Sequence, residues 1–288
     1  MSDGTQNSNA SGRHILTGSS RFYAIIGHPI GQVRSPTVFN GYIAENNIDG
    51  AMVAMDLLPS AVDGFFAMLR GWENCGGVGV TIPHKQSVMA NCDEVSDRAR
   101  RIGACNLVQR TADGRLVGDM TDGLGFLAAL GKHGVSVMGK RFVLIGAGGA
   151  GSAIAHAVAD NGAARLAVID IDTPRRETLL ASLRTHYPDV EISDEAGDPA
   201  AIDILANATP MGMKPDDPLP FPLDGIRADT MVADAVTKPP MTRFLETAQA
   251  KGCPIQRGNE MADAQQPIFL ERLGVVAPGT LTSQNLEK

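Results

Sequence analysis

Residues 143–151 read Val-Leu-Ile-Gly-Ala-Gly-Gly-Ala-Gly, an apolar run that passes straight into a glycine cluster. Ser152-Ala-Ile-Ala-His-Ala-Val-Ala follows at helical spacing, and Arg165-Leu-Ala-Val-Ile-Asp170 supplies a second apolar run ending in an acid. Strand, glycine turn, helix and strand in that order fit the crossover unit that carries a dinucleotide. Gly146 permits the tight turn, Gly148 lets the backbone approach a pyrophosphate, and Gly151 lets helix and strand pack closely. With Ala147, Gly149 and Ala150 they form the predicted cradle, where the helix N-terminus offers free N–H groups and partial positive charge.

Asp170 stands 24 positions after Gly146, near the spacing of roughly 20 expected for an acid that bonds the adenine ribose. An ionised carboxylate there repels a 2′-phosphate, so the expected cofactor is NAD, with NADP less favoured. Arg175 and Arg176 weigh the other way, since an arginine can reach a phosphate, unless they form the solvated first turn of a helix after Pro174.

The 288 residues suffice for two domains with separate cores, and 43% hydrophobic and 20% charged residues describe a soluble globular chain. The net charge of −7 offers no basic stripe for nucleic acid, and no run of 18 apolar residues spans a membrane. Cys75, Cys92, Cys105 and Cys253 show no paired metal-ligand spacing, so no metal is expected. Scattered thiols fit a reducing cytoplasm, and the start of the chain lacks a signal-peptide pattern. Residues 1–20, rich in Ser, Asn and Gly, are predicted to be a disordered leader.

Beyond the leader, strands and helices alternate, which predicts an α/β protein of two lobes with mainly parallel sheets. The front lobe has predicted strands at 22–27, 51–56 and 77–82, a helix at 61–70, and helices opened by Pro36 and Pro83. A helix near 95–102 and short strands at 105–109 and 116–117 follow. Asp122–His133 reads as a connecting helix. A Rossmann-type doubly wound unit then spans 123–258, and a last helix, 259–273, swings back onto the front lobe. The substrate-binding and catalytic domain is thus expected to comprise 21–122 plus 259–288.

A nicotinamide enzyme needs a proton relay. Two polar turns in the front lobe offer one: Val80-Thr-Ile-Pro-His-Lys85 and Gly118-Asp-Met-Thr-Asp-Gly123. A lysine beside a carboxylate makes a workable acid–base pair. On spacing alone, Lys85 also reads as a surface lysine and Asp122 as a helix N-cap. His84 titrates in the right range but fits a structural role better, as do His28 and His156.

These segments, with Gly27-His-Pro-Ile-Gly-Gln-Val-Arg-Ser-Pro36, Ile102-Gly-Ala-Cys-Asn106, Gly114-Arg-Leu-Val-Gly118, Asn207-Ala-Thr-Pro-Met-Gly212 and Met261-Ala-Asp-Ala-Gln265, occur in the order found in one family. From Phe22 to about Leu273 the chain resembles the shikimate dehydrogenases, including their quinate/shikimate members. The resemblance implies a nicotinamide-dependent oxidation of a ring hydroxyl on a cyclohexane(ene) carboxylate. It implies that Lys85 and Asp122 are the catalytic pair, that Ser35 binds the substrate carboxylate, and that Thr81, Asn106 and Gln265 bind hydroxyls. Thr209, Val236 and Gly258 would line the nicotinamide.

The departures bear on substrate choice. Val33 stands where the family has a carboxylate-binding serine and Thr237 where a tyrosine often reaches the same group. Gln32, Gly79 and Leu107 replace a common histidine, asparagine and threonine. Two lost charge-assisted bonds, each worth about 1–3 kcal/mol, weaken binding of a carboxylate by orders of magnitude unless Gln32, Arg34 or Lys238 compensates. Asp170-Ile-Asp172 replaces the Asn-Arg-Thr of NADP-using members, which agrees with NAD. Alternatives are an enzyme for another cyclitol or an amino or decarboxylated analogue, or a catalytically silent NAD-binding sensor. The expected partners are a small-molecule substrate, no nucleic acid and no membrane, with the chain a monomer or homodimer.

Overall fold

A computed structural model of the chain describes residues 15–31 and 33–281. Its architecture is α/β, built on two six-stranded sheets. The first half supplies β1 (Arg21–Gly27), α1 (Ser35–Glu45), β2 (Gly50–Asp56), α2 (Val62–Gly71), β3 (Cys75–Val80), β4 (Glu94–Val95), α3 (Asp97–Ile102), β5 (Leu107–Arg110) and β6 (Leu116–Asp119). The connecting helix α4 (Asp122–Lys132) leads to β7 (Arg141–Ile145), α5 (Gly149–Asp160), β8 (Arg165–Ile169), α6 (Thr173–His186) and β9 (Glu191–Ser193). Then come β10 (Ile204–Asn207), β11 (Met231–Asp234), α7 (Arg243–Ala250), β12 (Ile255–Gln256) and α8 (Gly258–Arg272).

The second sheet runs β12-β11-β10-β7-β8-β9, all parallel. Counted from β7, this is the doubly wound order 3-2-1-4-5-6, with its switch point between β7 and β10. Its strands read as continuous apolar runs because both faces are covered. Phe142, Leu144, Leu166 and Val168 pack with α5 and α6 on one side, and Val143, Ile145, Leu205 and Phe244 pack on the other.

The first sheet runs β2-β1-β3-β5-β6-β4. Strands β1, β2 and β3 are parallel, but β5 is antiparallel to both β3 and β6. A tight turn makes this reversal, with Thr111 N–H donating to the Arg115 carbonyl (2.9 Å) and Gly114 at φ +82°. Pro83 opens no α-helix, contrary to expectation. The chain makes a turn and a 3-10 segment, Ser87–Asn91, because the Lys85 carbonyl accepts from Cys105 N–H (2.7 Å) and is lost to any helical ladder.

Of the expected leader, residues 1–14 lie outside the described residues. Residues 17–20 form a turn fixed to Asp49, and Ser20 is fully buried and bonded to the Asp49 carboxylate. Helix α8 packs against α4 and α1, so the end of the chain returns to the front sheet. Among the described residues no helix is long and apolar enough to cross a membrane.

Candidate active site

Lys85 lies in the turn that follows β3, on a backbone pinned by Cys105 and by Val88 N–H on the His84 carbonyl (3.1 Å). The same turn sends the His84 ring inward, where its Nε2 lies 2.7 Å from the Leu57 carbonyl and the residue is 1% exposed. His84 is therefore structural. Lys85 points the other way, and its Nζ donates to Asp122 Oδ2 at 2.6 Å. The two candidate turns, 37 residues apart in sequence, form one ion pair.

Asp122 is the first residue of α4, where a carboxylate meets the positive end of the helix. Its Oδ1 accepts from Asn106 Nδ2 (2.7 Å) and Gln265 Nε2 (2.9 Å). Burial pushes this carboxyl up. The Lys85 ammonium, its hydrogen bond and the two amide donors outweigh burial and leave it below the usual carboxylate range. Asp122 is thus ionised at neutral pH and offers a fixed acceptor beside the Lys85 side chain.

Thr121, not Asp122, stands at the N-cap position of α4, and the sequence did not single it out. It makes no side-chain cap. Its backbone N–H donates to Asn106 Oδ1 (2.8 Å), and its hydroxyl lies 3.1 Å from Asn106 Nδ2 and 3.3 Å from Gln265 Nε2. These contacts set the Asn106 amide so that its NH2 faces Asp122. Gln265 reaches the site because Gly125 lets α8 approach α4: a Cβ there would lie 2.6 Å from Gln265 Cγ and 3.0 Å from the Met261 carbonyl.

Thr81 follows β3 at the same sheet edge, its N–H on the Ile26 carbonyl (2.9 Å). Ser35 opens α1, and Val33 packs on the apolar cluster of Ile30, Phe39, Phe269 and Leu270. Arg34, a candidate compensating cation, faces Asp263 on α8 at 3.7 Å. Gly79 leaves room that Phe269 fills, since a Cβ there would lie 3.0 Å from the ring. Gln32 lies outside the described residues.

The glycine turn crosses from β7 to α5 beside β10, at the switch point. Gly146 has φ +104°, which favours glycine, and a Cβ on Gly151 would lie 2.0 Å from the Gly146 carbonyl oxygen. Gly148 caps α5 without a side-chain bond, and nothing lies within 4 Å of where a Cβ on Gly148 or Gly149 would stand. Ala147 N–H and Asp172 N–H donate to the two oxygens of Asp170, at 2.7 and 2.8 Å, so this acid clasps the turn. An open cradle at an uncapped helix start, with an acid at the end of β8, fits a dinucleotide. Thr209 and Val236 follow β10 and β11, and Gly258, at the start of α8, lies against the Val236 carbonyl. Thr237 is half-buried beside Val236.

Residues 25–108 match the shikimate dehydrogenase substrate binding domain. The shikimate dehydrogenase (NADP(+)) of Rhodospirillum rubrum is 35% identical over 251 residues, covering 83% of this chain and 86% of that protein. Among solved structures, 5-ketofructose reductase of Gluconobacter sp. strain CHM43 superposes with a TM-score of 0.82 at 31% identity, over 89% of this chain and 94% of that one. Shikimate 5-dehydrogenase from Listeria monocytogenes, in complex with shikimate and NAD, gives 0.84 at 28% identity, over 91% and 94%.

Proposed function

The chain belongs to the shikimate dehydrogenase family of NAD(P)-dependent oxidoreductases acting on CH–OH groups, and from that membership we propose that it interconverts a ring hydroxyl and a ketone on a shikimate- or quinate-type substrate. The observation that carries this reading is the 2.6 Å pair between Lys85 and Asp122, ringed by Asn106, Thr121 and Gln265. A protein that kept only nucleotide sensing has no use for a buried carboxylate held on both oxygens beside a lysine.

Residues 21–122 and the chain from 259 onward act as the substrate lobe, and 123–258 as the dinucleotide lobe. Ser35 holds the substrate carboxylate, and Thr81, Asn106 and Gln265 its hydroxyls. In the reducing direction the Lys85 ammonium donates a proton to the ketone oxygen. In the oxidising direction the neutral Lys85 amine takes the hydroxyl proton, while Asp122 holds that hydroxyl in line. Bound between Gly146–Gly151, Thr209, Val236 and Gly258, a nicotinamide would supply or accept the hydride.

The preferred cofactor in this reading is NAD. Ile171 is 96% exposed at the tip of the loop after β8, where it offers no donor to a phosphate. Arg175 is 2.9 Å from Asp172 and 3.8 Å from Asp170, and Arg176 contacts Glu177 and Asp194, so both arginines already face carboxylates. A 2′-phosphate would meet acids first. One chain supplies the whole cleft, so a monomer or homodimer suffices, and four free cysteines suit a reducing cytoplasm.

A second reading takes a polyhydroxy ketone without a carboxylate. It is supported by the apolar packing of Val33, by the Arg34–Asp263 contact and by the name of the Gluconobacter relative. Absorbance at 340 nm, with shikimate, quinate and neutral cyclitols and ketohexoses, each with NAD and NADP, tests both. Turnover with shikimate or quinate, and a kcat/KM at least about tenfold higher with NAD, is expected; tenfold corresponds to about 1.4 kcal/mol of like-charge repulsion. Turnover only with neutral substrates selects the second reading. Tight NAD binding with no turnover on any substrate contradicts both.

A further inference from the structure

Asp234 ends β11 directly opposite Asn207, the last residue of β10, and neither is exposed at all. Its Oδ1 accepts from Asn207 Nδ2 (3.0 Å) and Val236 N–H (2.9 Å), and its Oδ2 from the Thr242 hydroxyl (2.6 Å). All three donors are neutral. A buried carboxylate without a bonded cation is costly, and burial lifts this group to about 6 even against its three hydrogen bonds. Packing alone gives no reason for an acid here.

The reason lies in what the bonded groups hold. Asn207 Oδ1 accepts from both the N–H (3.0 Å) and the hydroxyl (2.7 Å) of Thr209, while its Nδ2 also donates to the Met211 carbonyl (3.1 Å). The loop after β10 therefore takes its shape from the Asn207 amide, and that amide takes its orientation from Asp234. The loop after β11 is fixed by the bond from Val236 N–H to the same oxygen. Gly258, where a Cβ would lie 2.3 Å from the Val236 carbonyl oxygen, extends the contact to the start of α8.

We infer that Asp234 is a positioning residue that locks the Thr209 and Val236 loops to each other, and so sets where the reacting ring sits above Lys85 and Asp122. This rests on the reading above that Thr209, Val236 and Gly258 flank the nicotinamide. Gly146–Gly151 and Asp170 anchor the rest of the dinucleotide independently. Loss of the lock should thus disturb turnover far more than affinity.

Asp234→Ala removes all three bonds. Asp234→Asn keeps Oδ1 as the double acceptor, and its NH2 can donate to the Thr242 hydroxyl, which retains a lone pair while accepting from Leu245 N–H. In the protein without ligand, amide hydrogen exchange should quicken at least about tenfold in residues 208–212 and 235–238 of D234A, with residues 146–155 unchanged and D234N near wild type. With the best substrate, kcat of D234A should fall about tenfold or more while its NAD dissociation constant stays within about threefold. D234N should restore kcat. Unchanged exchange in both loops of D234A, equal loosening of the whole dinucleotide lobe, or a D234N as impaired as D234A would overturn the inference. A wild-type protein that turns nothing over sinks the functional reading instead, and the exchange pattern still decides the role of Asp234.

Discussion

Lys85→Ala lowers kcat by about a hundredfold or more while NAD affinity stays within a fewfold of wild type, the scale expected when a positioned acid–base group is removed. Three observations set that size. Among the described residues the ammonium is the one charged group bonded to Asp122, and its side chain keeps 17% exposure. The dinucleotide cradle is built from other segments. Asp122 keeps its bonds from Asn106 and Gln265 and its place at the start of α4, so the fold should survive the change. Stopped-flow turnover, with NAD titrated by fluorescence and thermal unfolding as a control, checks it. Near-normal turnover in a folded K85A protein removes Lys85 from the chemistry. A loss of NAD binding equal to the loss of rate would make its role structural.

Gly151→Ala is expected to do the reverse, and to act mainly on the dinucleotide. A methyl group at this position would lie 2.0 Å from the Gly146 carbonyl oxygen and 2.8 Å from its carbon. Those are backbone atoms of the turn itself, held by Gly146 N–H on the Ile169 carbonyl (2.7 Å), so no side chain can swing aside. Helix α5 must move off β7, which costs on the order of 1–3 kcal/mol in overpacking. If that strain falls on the cradle, NAD binding weakens by roughly tenfold to a hundredfold. Shikimate or quinate affinity, which the proposed reading assigns to Ser35, Thr81, Asn106 and Gln265, should hardly change. Calorimetric titration of each ligand separates the two. Unaltered NAD binding would mean that the turn is not the cradle.

Much of this was legible in the chain because local chemistry and long-range placement agree. The run from Val143 to Gly151 can form only a strand, a turn and a helix, and its position at the switch point follows from that order. Asp122 begins a helix as its sequence predicts. The contact with Lys85 was not readable from spacing, since nothing local brings residue 85 to residue 122; the resemblance to a family supplied it. Thr121 was hidden because its partners, Asn106 and Gln265, lie 15 and 144 residues away in the sequence. Asp234 was hidden because Val-Ala-Asp-Ala-Val reads as the end of a buried strand, and its neutral partners Asn207 and Thr242 lie on other segments.

The misread elements have equally specific causes. Beyond Pro83 the backbone bonds to Cys105 instead of coiling, and a proline at a helix start does not reveal such a rival partner. The antiparallel β5 was masked by an otherwise regular alternation of strand and helix, although Asp113-Gly114 between two short apolar runs is a hairpin signature. Asp170 was read as a ribose ligand, yet both its oxygens also accept backbone N–H groups of the turn region. A ribose-ligand role for Asp170 would use lone pairs that these two bonds leave free.

The most direct test is a crystal structure of the ternary complex of the wild-type protein with reduced dinucleotide and the alcohol form of its best substrate, a pair that cannot react. The account places one substrate hydroxyl within about 2.6–3.2 Å of both Lys85 Nζ and an Asp122 oxygen, with nicotinamide C4 roughly 3–3.5 Å from the carbon bearing it. A substrate whose reacting hydroxyl bonds elsewhere, or a ring stacked away from Thr209 and Val236, would contradict it.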